Sequence, residues 1–161
     1  MVYYKQIGTI LAILLVQMYS PIIYLKEGVY FVPDFLLIYM TYLSVVHKSY
    51  IIIVSGFLLG LFQDITTQVN LLGVFAFSKS LSGYLLTYYS DYNKIWNKSL
   101  KIIFLLAVYF FHFSLSSYLM FDRAVTPLSY IFLSSLMQSS ILVIVLLVIN
   151  KFILIDKKIF N

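Results

Sequence analysis

The sequence contains no cysteine, which excludes disulfide staples, thiolate metal sites and a cysteine nucleophile. Charge is scarce as well: 11% of the residues carry it, against roughly a quarter in soluble domains. The three prolines and six glycines are scattered rather than gathered into linkers, and no low-complexity stretch or soluble-length shift in composition divides the chain, so one domain is expected. The two histidines, His47 and His112, stand 65 positions apart with no helical H-x-x-x-H pair, too few to hold a metal. Also missing are a Walker loop, a Rossmann fingerprint, the G-x-S-G of intramembrane serine proteases, and the Y-D and G-x-G-D settings of intramembrane aspartyl proteases. No catalytic, cofactor-binding or metal-binding residue is therefore expected, and the protein reads as a non-enzyme.

What fills the sequence is hydrocarbon. Apolar residues make up 62% and the mean hydropathy is +0.97, so lipid rather than water is the expected solvent. Crossing a bilayer takes about 20 apolar residues, and the runs 6–25, 102–121 and 124–150 hold no formal charge. Three further runs carry one charge each: 28–46 holds Asp34, 49–66 ends near Asp64, and 70–90 holds Lys79. The expected fold is an all-α bundle of six spans, about 6–25, 28–46, 49–66, 70–90, 102–121 and 127–150, forming one integral membrane domain over 1–161. The first run is longer than a signal-peptide core and no A-x-A-type site follows it, so it is read as a retained helix. Pro21 falls near the end of span one, Pro33 in the first turn of span two, and Pro127 opens span six, positions where a missing N–H is tolerated. Tyr3, Tyr4, Tyr30, Tyr50, Tyr88 and Tyr89 fall at expected span ends, where amphipathic rings favour the headgroup level.

Basic residues set the orientation, since cytoplasmic loops retain Lys and Arg. An inside N-terminus puts Lys5, Lys48, Lys94, Lys98, Lys101, Lys151, Lys157 and Lys158 on the cytoplasmic side and only Lys26 and Arg123 outside. Both termini are expected in the cytoplasm. This accounts for the pI near 9.3 as a topological signal able to contact anionic lipid, not as a nucleic-acid-binding surface.

A charge inside the bilayer costs about 2.5–3.5 kcal/mol on insertion scales and normally finds a protein partner. Lys79 is expected to pair with Asp34 or Asp64 in a cluster between spans two, three and four, with Lys79 the partner assigned to Asp64. The alternatives are that both acids reach headgroup water while Lys79 snorkels or meets backbone carbonyls, or that the three form part of a proton or ion path. Gly56 and Gly60 have the G-x-x-x-G spacing that lets another backbone approach. Asp64 extends that face by one i+4 step, and Gly83 follows Lys79 at the same interval, so spans three and four are expected to pack tightly. The echo of Ser55-Gly56-Phe57-Leu58-Leu59 in Ser82-Gly83-Tyr84-Leu85-Leu86 is read as chance in so restricted an alphabet. His112 and Gln138 both fall near mid-membrane, Gln138 on a stripe with Tyr130 and Ser134, and an interhelical hydrogen bond between them is expected.

The ordered set Val32-Pro33-Asp34, Ser55-Gly56 through Gly60 to Asp64, Leu72-Gly73, and Ala76 through Lys79 to Gly83-Tyr84 resembles the rod shape-determining protein MreD family. The motif-bearing part covers 32–86. The resemblance implies a six-helix inner-membrane protein similar in architecture to the substrate-binding S-components of energy-coupling-factor transporters. Its implied role is a non-enzymatic scaffold or regulator of cell elongation and lateral peptidoglycan synthesis. The implied partners are MreC, through its single membrane helix, and in the same complex MreB, RodA and a class B penicillin-binding transpeptidase. Family motif positions carried over are Pro33, Asp34, Gly56, Gly60, Asp64, Gly73, Lys79 and Gly83. A small-solute-binding subunit of S-component type is the alternative, with Asp34, Asp64 and Lys79 lining its pocket.

Overall fold

In the computed structural model, which describes residues 2–19, 23–26, 29–67, 72–120 and 126–152, six helices follow the apolar runs and a short hairpin joins the first two. The elements are α1 (Val2–Met18), β1 (Ile23–Lys26), β2 (Val29–Phe31), α2 (Phe35–Val46), α3 (Ser49–Thr67), α4 (Val74–Tyr92), α5 (Lys98–Met120) and α6 (Leu128–Phe152). Pro21, Arg123, Lys157 and Lys158 lie outside the described residues.

Among the described residues, three helices are long and apolar enough to cross a membrane: α3, α5 and the Leu128–Lys151 stretch of α6. The second expected span differs most. Its helix has 12 residues, about 18 Å at 1.5 Å per residue, short of the roughly 30 Å hydrocarbon layer. Residues counted toward the first two spans instead form an antiparallel pair, with Ile23 opposite Phe31, Tyr24 opposite Tyr30 and Lys26 opposite Val29. The six-helix class stands, and what is corrected is the extent of helix in the first two expected spans. Ile, Val, Tyr and Phe favour strands, and Pro33 biases the residue before it away from helical geometry. Pairing the two segments with each other satisfies the backbone groups on their facing edges without helix. Accordingly α1 stops at Met18 rather than near residue 25, and α2 starts at Phe35.

The other ends follow local capping. The Asn97 side-chain oxygen accepts the Leu100 N–H at 2.9 Å, starting α5 early enough to include Lys98 and Lys101. The Pro127 carbonyl accepts the Tyr130 N–H at 3.0 Å and starts α6.

Among the described elements α4 is the hub. It pairs most extensively with α3 and also packs on α2 and α5, while α6 packs on α5 and α1 on α2. The core draws Leu36, Leu37 and Met40 from α2, Ile52 and Leu59 from α3, Leu86 and Tyr89 from α4, Leu105 and Tyr109 from α5, and Leu142 and Leu146 from α6. Val54, Phe57, Ile103, Leu133 and Ile144 are exposed. In lipid such exposure costs nothing, so helix association must rest on close packing and polar contacts.

Candidate functional site

Close packing is achieved where glycines remove side chains from α3 and α4. A Cβ on Gly60 would overlap the Phe75 carbonyl oxygen and stand 2.5 Å from Ala76 Cα. One on Gly56 would lie 2.7 Å from both the Lys79 carbonyl oxygen and the tip of Met40, and one on Gly83 would lie 3.1 Å from the Ile52 carbonyl oxygen and from the same methionine tip. Met40 of α2 therefore fills the space the two facing glycines leave, which fixes three helices at one point.

At that junction four ionisable side chains are withdrawn from the surface: Asp34 is 3% exposed, and Asp64, Lys79 and His112 are 0% exposed. Asp34 has the most to do. Its Oδ1 accepts the Leu37 N–H at 3.1 Å and caps α2, while its Oδ2 forms an ion pair and hydrogen bond with Lys79 Nζ. His112 brings Nε2 to 3.4 Å from the same Oδ2, and neither ring nitrogen has a hydrogen-bond partner. The Lys79 ammonium also lies 5.6 Å from the Phe75 ring centroid, in cation–π range.

Asp64 does something the sequence did not suggest. Its Oδ1 accepts the Phe75 N–H and its Oδ2 the Ala76 N–H, each at 3.0 Å. These are unsatisfied donors of the first turn of α4, where a carboxylate also complements the helix dipole. The N-cap position itself is Gly73, at φ +99° and with no side-chain cap, a left-handed conformation that suits glycine. A carboxylate from α3 thus supplies the cap, and Gly60, one helical turn earlier, makes room for it to reach. The expected Asp64–Lys79 pair is corrected: Lys79 is paired with Asp34, and Asp64 is committed to α4. The reading in which both acids sit in headgroup water is likewise overturned, since both are enclosed by protein.

His112 and Gln138 do not bond. Gln138 is only half-buried on α6, whereas His112 is fully buried against Asp34, and neither of its ring nitrogens is hydrogen-bonded.

Two contacts escaped the sequence reading. Gln17 of α1 donates its amide to the Pro33 carbonyl at 3.2 Å and accepts the Phe35 N–H at 2.8 Å, clamping the entry to α2; nothing around Gln17 in the sequence marks it out. Thr41 and Tyr109 share a buried hydroxyl contact of 2.7 Å. Because Thr41 directs its proton to the Leu37 carbonyl, Tyr109 is the donor. Thr41 lies seven residues after Asp34, on the same face of α2, and that spacing was a usable signal.

The site thus gathers Pro33, Asp34, Gly56, Gly60, Asp64, Lys79, Gly83 and His112 along one seam that runs from the end of the bundle where α2 and α4 begin to the middle of α4, with Gly73 at its edge and Gln138 outside it. An apolar groove of ≈ 570 Å³ opens elsewhere, between α5 and α6, lined by Phe111, Leu115, Tyr118, Leu128, Ile131 and Phe132 among others, and by none of the seam's charged residues.

Apolar crossing helices, with buried charges turned onto one another and onto backbone, define a multi-helix membrane protein whose polar residues hold helices together. Residues 2–158 match the family described as rod shape-determining protein MreD, and the chain belongs to that family. No curated protein and no solved structure matches it.

Proposed function

We propose that this protein is a non-enzymatic scaffold or regulator of the bacterial cell-elongation complex. In this reading it is one integral domain of the cytoplasmic (inner) membrane with both termini in the cytoplasm, arranged like the S-components of energy-coupling-factor transporters. MreC is its direct partner, through that protein's single membrane helix. MreB, RodA and a class B penicillin-binding transpeptidase belong to the same complex, which builds lateral peptidoglycan.

Family membership supplies the role in rod shape. The observation that favours a scaffold over a solute carrier is the engagement of the buried charges. Asp34 and Lys79 are paired, and Asp64 is spent on two backbone N–H groups, whereas a solute site needs polar side chains converging on open space. Depletion of the protein followed by microscopy tests the reading. Rod cells should round up, and MreC should co-purify with the tagged protein. Normal shape together with a vitamin auxotrophy, or a small molecule retained through purification, would replace it with the solute-binding alternative.

A further inference from the structure

The α4–α5 turn, remote from the polar seam, has an exposed part that the helix core does not use. Four aromatic rings brace it. Tyr92 stacks on Trp96 at 5.7 Å with the rings 10° from parallel, Trp96 meets Phe104 at 4.8 Å, and Tyr89 packs on both Phe104 and Trp96. Buried Tyr89 and half-buried Trp96 anchor the cluster, while Tyr92 stays 47% exposed and Ile95, at the tip, is 78% exposed. Lys94 and Lys98 flank that tip, both exposed, and Lys101 lies buried beneath them.

The sequence of this turn is net positive. From Asp91 to Lys101 there are three lysines and one carboxylate, a net of +2. The first turn of α5 contains no acidic residue, so Lys98 and Lys101 stand at the positive end of a 23-residue helix, where a cation is disfavoured and an anion favoured. An exposed aliphatic tip, amphipathic rings and the exposed Lys94 and Lys98 beside a helix start together match the chemistry of a membrane interface: acyl chain on one side, phosphate on the other.

We propose that this turn is a binding site for the headgroup of an anionic phospholipid, with Lys94 and Lys98 engaging the phosphate and Ile95, Tyr92 and Trp96 seated at the acyl boundary. That the leaflet is the cytoplasmic one rests on the orientation proposed above; the lipid preference does not.

Trp96 is the only tryptophan in the sequence, so its fluorescence reports this turn without labelling. The full-length protein would be reconstituted in phosphatidylcholine vesicles containing equal mole fractions of either brominated phosphatidylglycerol or brominated phosphatidylcholine as quencher. Quenching by the brominated phosphatidylglycerol should be stronger by about twofold or more, as expected of paired lysines at an anionic surface. The preference should vanish in Lys94→Gln/Lys98→Gln and persist in Lys48→Gln/Lys151→Gln, which removes as much charge elsewhere, with all variants eluting as the same monodisperse species. Equal quenching by the two lipids would overturn the proposal, as would equal loss of preference in both double variants. Orientation is read separately: Ile95→Cys should resist an impermeant maleimide in intact cells and react in inverted vesicles. The reverse pattern would move the site to the outer leaflet while leaving the lipid test intact.

Discussion

The α3–α4 pair and the α5–α6 pair are both made of helices in an apolar setting, yet they are held in different ways. The first has glycines at three contact points, backbone against backbone, and a carboxylate bridging one helix to the start of the other. The second meets through bulky side chains, such as Phe110 against Phe132 at 5.2 Å, and leaves a groove open between its helices. Several of its serines turn back on their own helix, as those of α4 also do: Ser116 bonds the His112 carbonyl and Ser140 the Leu136 carbonyl. In a solvent as apolar as leucine, bulk alone specifies little. Small residues and buried polar contacts fix which helices meet and in what register, and this protein concentrates both on one side.

That contrast sets an order of mutational effects. Neutralising one partner of the buried pair, by Lys79→Met or Asp34→Asn, leaves the other charge unpaired and should cost about 3–5 kcal/mol, seen as loss of monodisperse protein and of rod-shape complementation. Gly60→Ala should cost about 1–3 kcal/mol, more than Gly56→Ala and Gly83→Ala, because its Cβ meets fixed backbone of α4 where theirs also meets the movable Met40 tip. Thermal unfolding in detergent would rank them, and an equal loss for Phe132→Ala at the α5–α6 groove would erase the distinction between the two pairs. Asp64→Asn should cost about 1 kcal/mol, the usual range for a lost cap, with faster hydrogen exchange at the Phe75 and Ala76 amides; exchange unchanged there would remove the cross-helix cap. Tyr109→Phe should cost about 0.6 kcal/mol, typical of a single interhelical hydrogen bond in a membrane.

The sequence was most legible where the chemistry is local or periodic. Charge-free runs located the long helices α5 and α6, and the i+4 spacing of Gly56, Gly60 and Asp64 disclosed the face that packs on α4. It was less legible where a partner lies far along the chain. Asp34 and Asp64 were equivalent candidates for Lys79, since nothing in residue spacing says which acid is spent on a helix terminus. Capping rules look for a polar side chain at the N-cap itself, and Gly73 hides a cap supplied from α3. His112 was matched to Gln138 on shared depth alone, whereas the rotation of α5 aims it at Asp34. The hairpin was missed because its residues are apolar enough to extend two spans on a hydropathy count; their β-branched and aromatic character, with Pro21, Gly28 and Pro33 as punctuation, was the signal passed over.

The central claim is that Asp34 and Lys79 form a structural pair joining α2 to α4. A double-mutant cycle on thermal unfolding, using Asp34→Asn, which keeps an oxygen to cap α2, with Lys79→Met, tests it most directly. A pair that acts as a unit should leave the double variant more stable than the Lys79→Met single variant and far above the sum of the two losses, since removing both charges of a buried pair is often near neutral. Strictly additive losses would contradict the account.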